Sequence, residues 1–185
     1  MKKRFFTLVE ILVACGIIAI LAGMGFAGYR YAMNSGRINS TKGITGQIST
    51  ALESCYNKFG FYPNSSAFES ITITLDGDIP DTIKFGSVSY DKDDTAVLRK
   101  QFFSHFFSLV DAESLKAARG QDGVLIDSWG NTIYYRYPGK ENKKKFDIVS
   151  AGPDGTFGTE KSEKPGDSTT FLDGKEMACD DIGNF

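Results

Sequence analysis

The sequence predicts an α+β protein in which one long N-terminal helix, its first half suited to a bilayer, packs against a small antiparallel sheet. Three observations carry this. Residues 11–29 hold no ionisable carboxylate or amine. Ile44, Ile48, Leu52, Cys55 and Phe59 recur at steps of four, four, three and four, the spacing of one helix face. Near the C-terminus, an aromatic-rich run between Asp127 and Gly139 and a second run at Phe146–Ser150 flank a short loop at 140–145, as in an antiparallel pair.

The chain opens on Met-Lys-Lys-Arg and passes into an apolar run whose single charge is Glu10. At about 1.5 Å per residue, a helix from Phe6 to Tyr29 crosses a bilayer core of roughly 30 Å. Lys2, Lys3 and Arg4 are expected on the cytoplasmic side, with the C-terminal bulk on the far side of the membrane. A secretory signal peptide has a shorter apolar core and a small-residue cleavage site, and Glu10 stands where that core would begin. A carboxylate at mid-membrane costs about 2.5–3.5 kcal/mol, less near an interface, so the presence of Glu10 needs an explanation.

Past Tyr29 the helix is expected to continue through the apolar stripe, with Arg37, Lys42, Gln47, Glu53 and Lys58 largely off it. Gly60 stops the helix and Pro63 confirms that the chain has left it. Ile71–Leu75 alternates as a strand, with Asp76-Gly77 to turn it, and Lys84–Tyr90 reads as a second strand. Leu98–Ala118 reads as one helix, with Phe102, Phe103, Phe106, Phe107, Leu109 and Val110 on a core-facing side. After Ser150 come Ala151-Gly-Pro-Asp-Gly-Thr156, a long polar loop, and Asp180-Asp-Ile-Gly-Asn-Phe185.

Composition narrows the function classes. The one histidine, His105, lies inside the phenylalanine cluster. The chain has no Cys-His metal spacing, phosphate-cradling glycine loop or nucleophile elbow, so an enzyme is not expected. Lys143–Lys145 is the longest basic run in a chain of net charge −2, which offers no patch for nucleic acid. Asp93-Asp94 reads as a solvated turn and Cys15 as packing within the apolar run. Cys55 and Cys179 would both face an oxidising compartment, where a disulfide between them is open to them.

Phe6-Thr7-Leu8-Val9-Glu10, followed by apolar residues, resembles the N-terminus of type IV prepilins and type II secretion pseudopilins. The resemblance implies that prepilin peptidase cuts residues 1–5 away before Phe6, that Phe6 becomes N-methylated, and that Glu10 helps assemble a helical filament. That family places Gly before the cut, where this chain has the bulkier Phe5. Removing three positive charges would leave the chain at about −5. Leu52, Tyr56, Gly60, Tyr62 and Pro63 resemble the helix end of major pseudopilins. The C-terminal third is similar to the major pseudopilin of type II secretion through Asp127-x-Trp129-Gly-Asn131, Tyr135-x-x-Pro138-Gly139, Asp147-x-x-Ser150-x-Gly152-x-Asp154-Gly155 and Asp180-Asp-Ile-Gly-Asn.

The resemblance implies a pilin-like organisation: leader 1–5, transmembrane and filament-core helix 6–29, soluble continuation 30–62, variable region 63–126, and sheet with calcium loop 127–185. Calcium would take carboxylates from Asp154 and Asp180 and main-chain oxygens from Ala151, Thr156 and Ala178, with Asp181 in reserve. Asp167 and Asp173 are alternatives, because the stretch between Asp154 and Asp180 is longer than the family's loop. An EF-hand, with its fixed twelve-residue loop, does not match. The implied setting is a bacterial inner membrane, single-pass, with the C-terminal domain in the periplasm or outside. The implied partners are other copies of the chain, minor pseudopilins and the inner-membrane secretion platform. A type IV pilus-like subunit and a monomeric membrane-anchored calcium-binding domain are the other readings.

Overall fold

The computed structural model describes residues 7–158, 161–166, 169, 171 and 181–184. It contains two compact units, Met1–Arg37 and Ile38–Phe185. Helix α1, Leu8–Phe59, supplies the regular structure of the first and opens the second. In the first unit, Leu8, Ile11, Leu12, Ile18, Leu21 and Phe26 are exposed, and the helix is long and apolar enough to cross a membrane. A helix that is apolar all round has no single face to bury in water, so a bilayer or other helices must cover it.

In the second unit the helical stripe turns inward. Ile48, Leu52 and Cys55 are fully buried, and Ile44 and Phe59 pack at the margin. The helix stops as expected at Phe59, where Gly60 adopts φ +80°, a left-handed conformation open to glycine. Next come β1 (Ser65–Asp76), β2 (Ile79–Phe85) and β3 (Val88–Asp91), then α2 (Val97–Phe107) and α3 (Ala112–Ala117). Strands β4 (Tyr134–Tyr137), β5 (Asp147–Ser150) and β6 (Ile182–Gly183) follow. All pair antiparallel in the order β3-β2-β1-β4-β5-β6.

Two sequence expectations need correction. Lys84–Tyr90 is not one strand: Gly86, at φ +63°, turns the chain so that Phe85 pairs with Val88 across a two-residue hairpin loop. Leu98–Ala118 is not one helix, because Asp111 caps a new start, its carboxylate accepting from the Ser114 amide at 3.0 Å. The break leaves Leu109 half exposed, whereas Phe102, Phe103, Phe106 and Val110 are buried as expected.

The main core joins the α1 stripe to Ile71, Ile73, Ile83, Phe85, Phe102, Phe106, Tyr135, Phe146 and Ile148. Tyr90 stacks on Phe102 with ring centroids 4.2 Å apart, and Phe85 meets Phe106 edge to face at 5.8 Å. A smaller cluster of Val149, Ala151, Phe157 and Phe171 lies beneath the loop that follows β5.

Candidate functional site

At the start of α1, Thr7 and Glu10 close a reciprocal cap. The Glu10 carboxylate accepts from the Thr7 amide at 2.8 Å and its hydroxyl at 2.9 Å, while the Glu10 amide donates to the Thr7 hydroxyl at 3.3 Å. A Thr-x-x-Glu pair in this geometry satisfies amide donors that the first helical turn leaves open. The acid that stands alone in the apolar run is thus hydrogen-bonded within its own chain. Phe5 and Phe6 lie outside the described residues.

The C-terminal motifs form a second constellation, built outward from Asp127. That side chain is 5% exposed, and its Oδ1 accepts from the Trp129 amide at 2.9 Å and the Asn131 amide at 2.8 Å. Its Oδ2 accepts from the Ser150 hydroxyl at 2.7 Å and the Asn131 side-chain amide at 3.2 Å. A buried carboxylate persists only when donors surround it, and here two come from its own turn, one from a neighbouring side chain and one from the end of β5. The turn is tied to α1 as well, since the Ser128 amide donates to the buried Thr41 hydroxyl at 3.2 Å.

Asp147, fully buried at the start of β5, plays the matching part for the loop between β4 and β5. It accepts from the Glu141 and Asn142 amides at 2.8 and 3.0 Å and from the Asn142 side chain at 3.0 Å. On the far edge of β5, Asn184 extends the short β6 pairing: its Oδ1 accepts from the Ile148 amide at 2.8 Å and its Nδ2 donates to the Phe146 carbonyl at 3.1 Å.

The loop after β5 carries three of the expected metal donors. A short 3-10 turn, Gly152–Asp154, follows Ala151, and Gly155 reverses the chain at φ +74°. The Asp154 carboxylate accepts from the Thr156 amide at 2.8 Å and hydroxyl at 2.9 Å. Two residues on, the Gly158 amide donates to Asp181 Oδ2 at 2.8 Å, which brings the loop and the C-terminal acidic segment together. Ala178 and Asp180 lie outside the described residues, as do Asp167, Asp173 and Cys179. Among the described residues no three His, Cys, Asp or Glu side chains group as a metal site. The donors that are described, one carboxylate and the peptide carbonyls beside it, are hard oxygens of the class that calcium takes.

Other sequence candidates resolve into packing. His105 is half-buried, with Nε2 3.0 Å from the Ser54 hydroxyl and its ring edge-on to Phe59. Cys55 is a free thiol in the core, its pKa pushed up to about 12 by burial. The roles of Asp127 and Asp147 were not foreseen. Their sequence traces are the motifs Asp127-x-Trp129-Gly-Asn131 and Asp147-x-x-Ser150, the first an acid ahead of a Gly-Asn turn and the second an acid opening an apolar strand.

Residues 108–165 match the family model described as Type II secretion system (T2SS), protein G. That stretch takes in α3, the Asp127 turn, β4, β5 and the loop through Gly158. The match is to a family of the type II secretion system and covers the turn and sheet region rather than the whole chain. No curated protein and no solved structure matches the chain.

Proposed function

We propose that this chain is a filament-forming subunit of a type II secretion system, in the role of the major pseudopilin. The match over residues 108–165 carries the reading, because it falls on the sheet and turn network rather than on the generic apolar helix. The exposed apolar helix supports it: a segment with no buried face gains most by bundling with copies of itself or by remaining in lipid. Cleavage by prepilin peptidase before Phe6 and N-methylation there would prepare it. Glu10 would then meet the amino terminus of a neighbouring subunit, a pairing that offsets the cost of burying its carboxylate. The setting is the bacterial inner membrane, with minor pseudopilins and the secretion platform as partners. Intact mass of the protein from native membranes tests the processing: a chain starting at N-methyl-Phe6 is expected, and one starting at Met1 would sink the filament reading. Glu10→Ala should abolish fibres seen by electron microscopy, while a monomeric anchor would tolerate it.

Calcium belongs to the same proposal. Asp154 and Asp180 would bind through carboxylates and Ala151, Thr156 and Ala178 through carbonyls, with Asp181 beside them. The ion's contribution would be a cross-link between the loop and the C-terminal segment, which the Gly158–Asp181 hydrogen bond already holds adjacent. Chelation should lower the thermal unfolding temperature, and calcium alone should restore it.

A further inference from the structure

We infer that Asn131 is the positioning residue of the loop after β5: held by Asp127, its side-chain amide fixes Gly152 and sets the path of residues 151–156 before any cation arrives. Asn131 Nδ2 donates to the Gly152 carbonyl at 2.7 Å and to Asp127 Oδ2 at 3.2 Å. Asp127 cannot turn away, since two backbone amides occupy its other oxygen and the Ser150 hydroxyl donates to it at 2.7 Å. The same Ser150 hydroxyl accepts from the Gly152 amide at 3.2 Å. Both polar groups of one peptide residue are therefore gripped by side chains that Asp127 orients. Gly152 sits at φ +66°, a left-handed conformation that marks where the chain swings out of β5. Asn131 also walls the next bend, for a Cβ on Gly155 would lie 3.3 Å from Asn131 Oδ1. Its amide thus bonds to the start of the Ala151–Thr156 loop and borders the bend that carries Asp154 and Thr156.

The consequence for metal affinity rests on the calcium reading, while the consequence for the loop's own order does not. Groups that orient metal ligands without touching the ion typically change affinity 10- to 100-fold when removed. The test uses the full chain in detergent micelles, wild type and Asn131→Ala. Asn131→Gln, which keeps an amide but misplaces it, carries the test if the alanine variant does not fold. Backbone amide exchange in EDTA is read first. Amides at 151–158 should exchange about 10-fold faster or more in the variant, while those of Ile71–Leu75 keep their protection. Unchanged exchange in the loop, or an equal rise in both segments, would overturn the inference. Isothermal titration with calcium is read second, and the variant should bind about 10-fold or more weakly. Equal affinity in variant and wild type would overturn the positioning role and leave the calcium reading intact. A wild type that takes no calcium would sink that reading instead, and the exchange result would still decide the role of Asn131.

Discussion

Where β2 and β3 meet α2, the buried side chains include Phe85, Tyr90, Phe102 and Phe106; where β4 and β5 meet their flanking turns, they include Asp127, Asp147 and Ser150. The first region coheres through stacked and edge-on rings. Burial there raises the Tyr90 phenol to about 12, a mark of how dry the cluster is. The second coheres through carboxylates that each collect several donors. These devices fail differently. Dispersion and apolar burial are shared over dozens of weak contacts, so damage scales with the volume removed. A buried carboxylate network is discrete, and removing its acceptor leaves every donor stranded. Apolar packing thus supplies bulk stability, while the polar region fixes the path of loops, which is where the proposed function lies.

The largest effect should come from the ring cluster. Phe106 is fully buried, with Phe85, Phe102 and Phe107 rings around it at centroid distances of 5.8, 6.4 and 5.3 Å. Phe106→Ala should cost about 3–5 kcal/mol in chemical denaturation and Phe106→Leu about 1 kcal/mol, a graded response. Next comes Asp147→Ala, which strands three donors and should cost about 2–3 kcal/mol. Asp147→Asn sharpens the contrast. It is the same size and can keep its amide oxygen toward Asn142, yet its NH2 then faces the Glu141 amide, so it should still lose stability, though less than the alanine variant. A near-neutral Asp147→Asn would erase the distinction between the two regions.

How much of this was legible in the sequence follows the same division. The α1 stripe from Ile44 to Phe59, the stop at Gly60 and the Asp76-Gly77 turn are local patterns, readable because one helix or one hairpin contains the whole signal. Gly86-Ser87 and Asp111-x-x-Ser114 were local too, but each sat inside a longer apolar run whose periodicity outweighed it. The buried carboxylates were illegible for another reason. Asp127 closes its network on Ser150, 23 residues away, and Ser128 on Thr41, 87 residues away, so the donors are known only once the sheet is assembled. The motif around Asp127 could be matched to a family, but not given a task. Glu10 shows the reverse. Its local partner, Thr7, was readable as a cap, while the resemblance drew attention to a partner in another subunit.

The smallest effect tests whether an exposed carboxylate behaves as a third case. Asp111 caps α3 at the surface, its Oδ2 accepting from the Ser114 amide and hydroxyl at 3.0 and 2.5 Å. The Ser114 hydroxyl, then its amide, hold the carboxyl below the ordinary carboxylate range. A carboxyl whose folded pKa is depressed stabilises fully above its unfolded value, and the contribution fades as pH falls through the folded one. Asp111→Ala should therefore melt below wild type at neutral pH, and the gap should close in acid. Solvent screens this cap, so the gap should be narrower than that of either buried substitution, and it should shrink further in high salt. A gap as wide as that of Asp147→Ala would mean that α3 is docked more tightly than its exposed cap implies. The division would then lie between capped and uncapped elements rather than between rings and buried carboxylates.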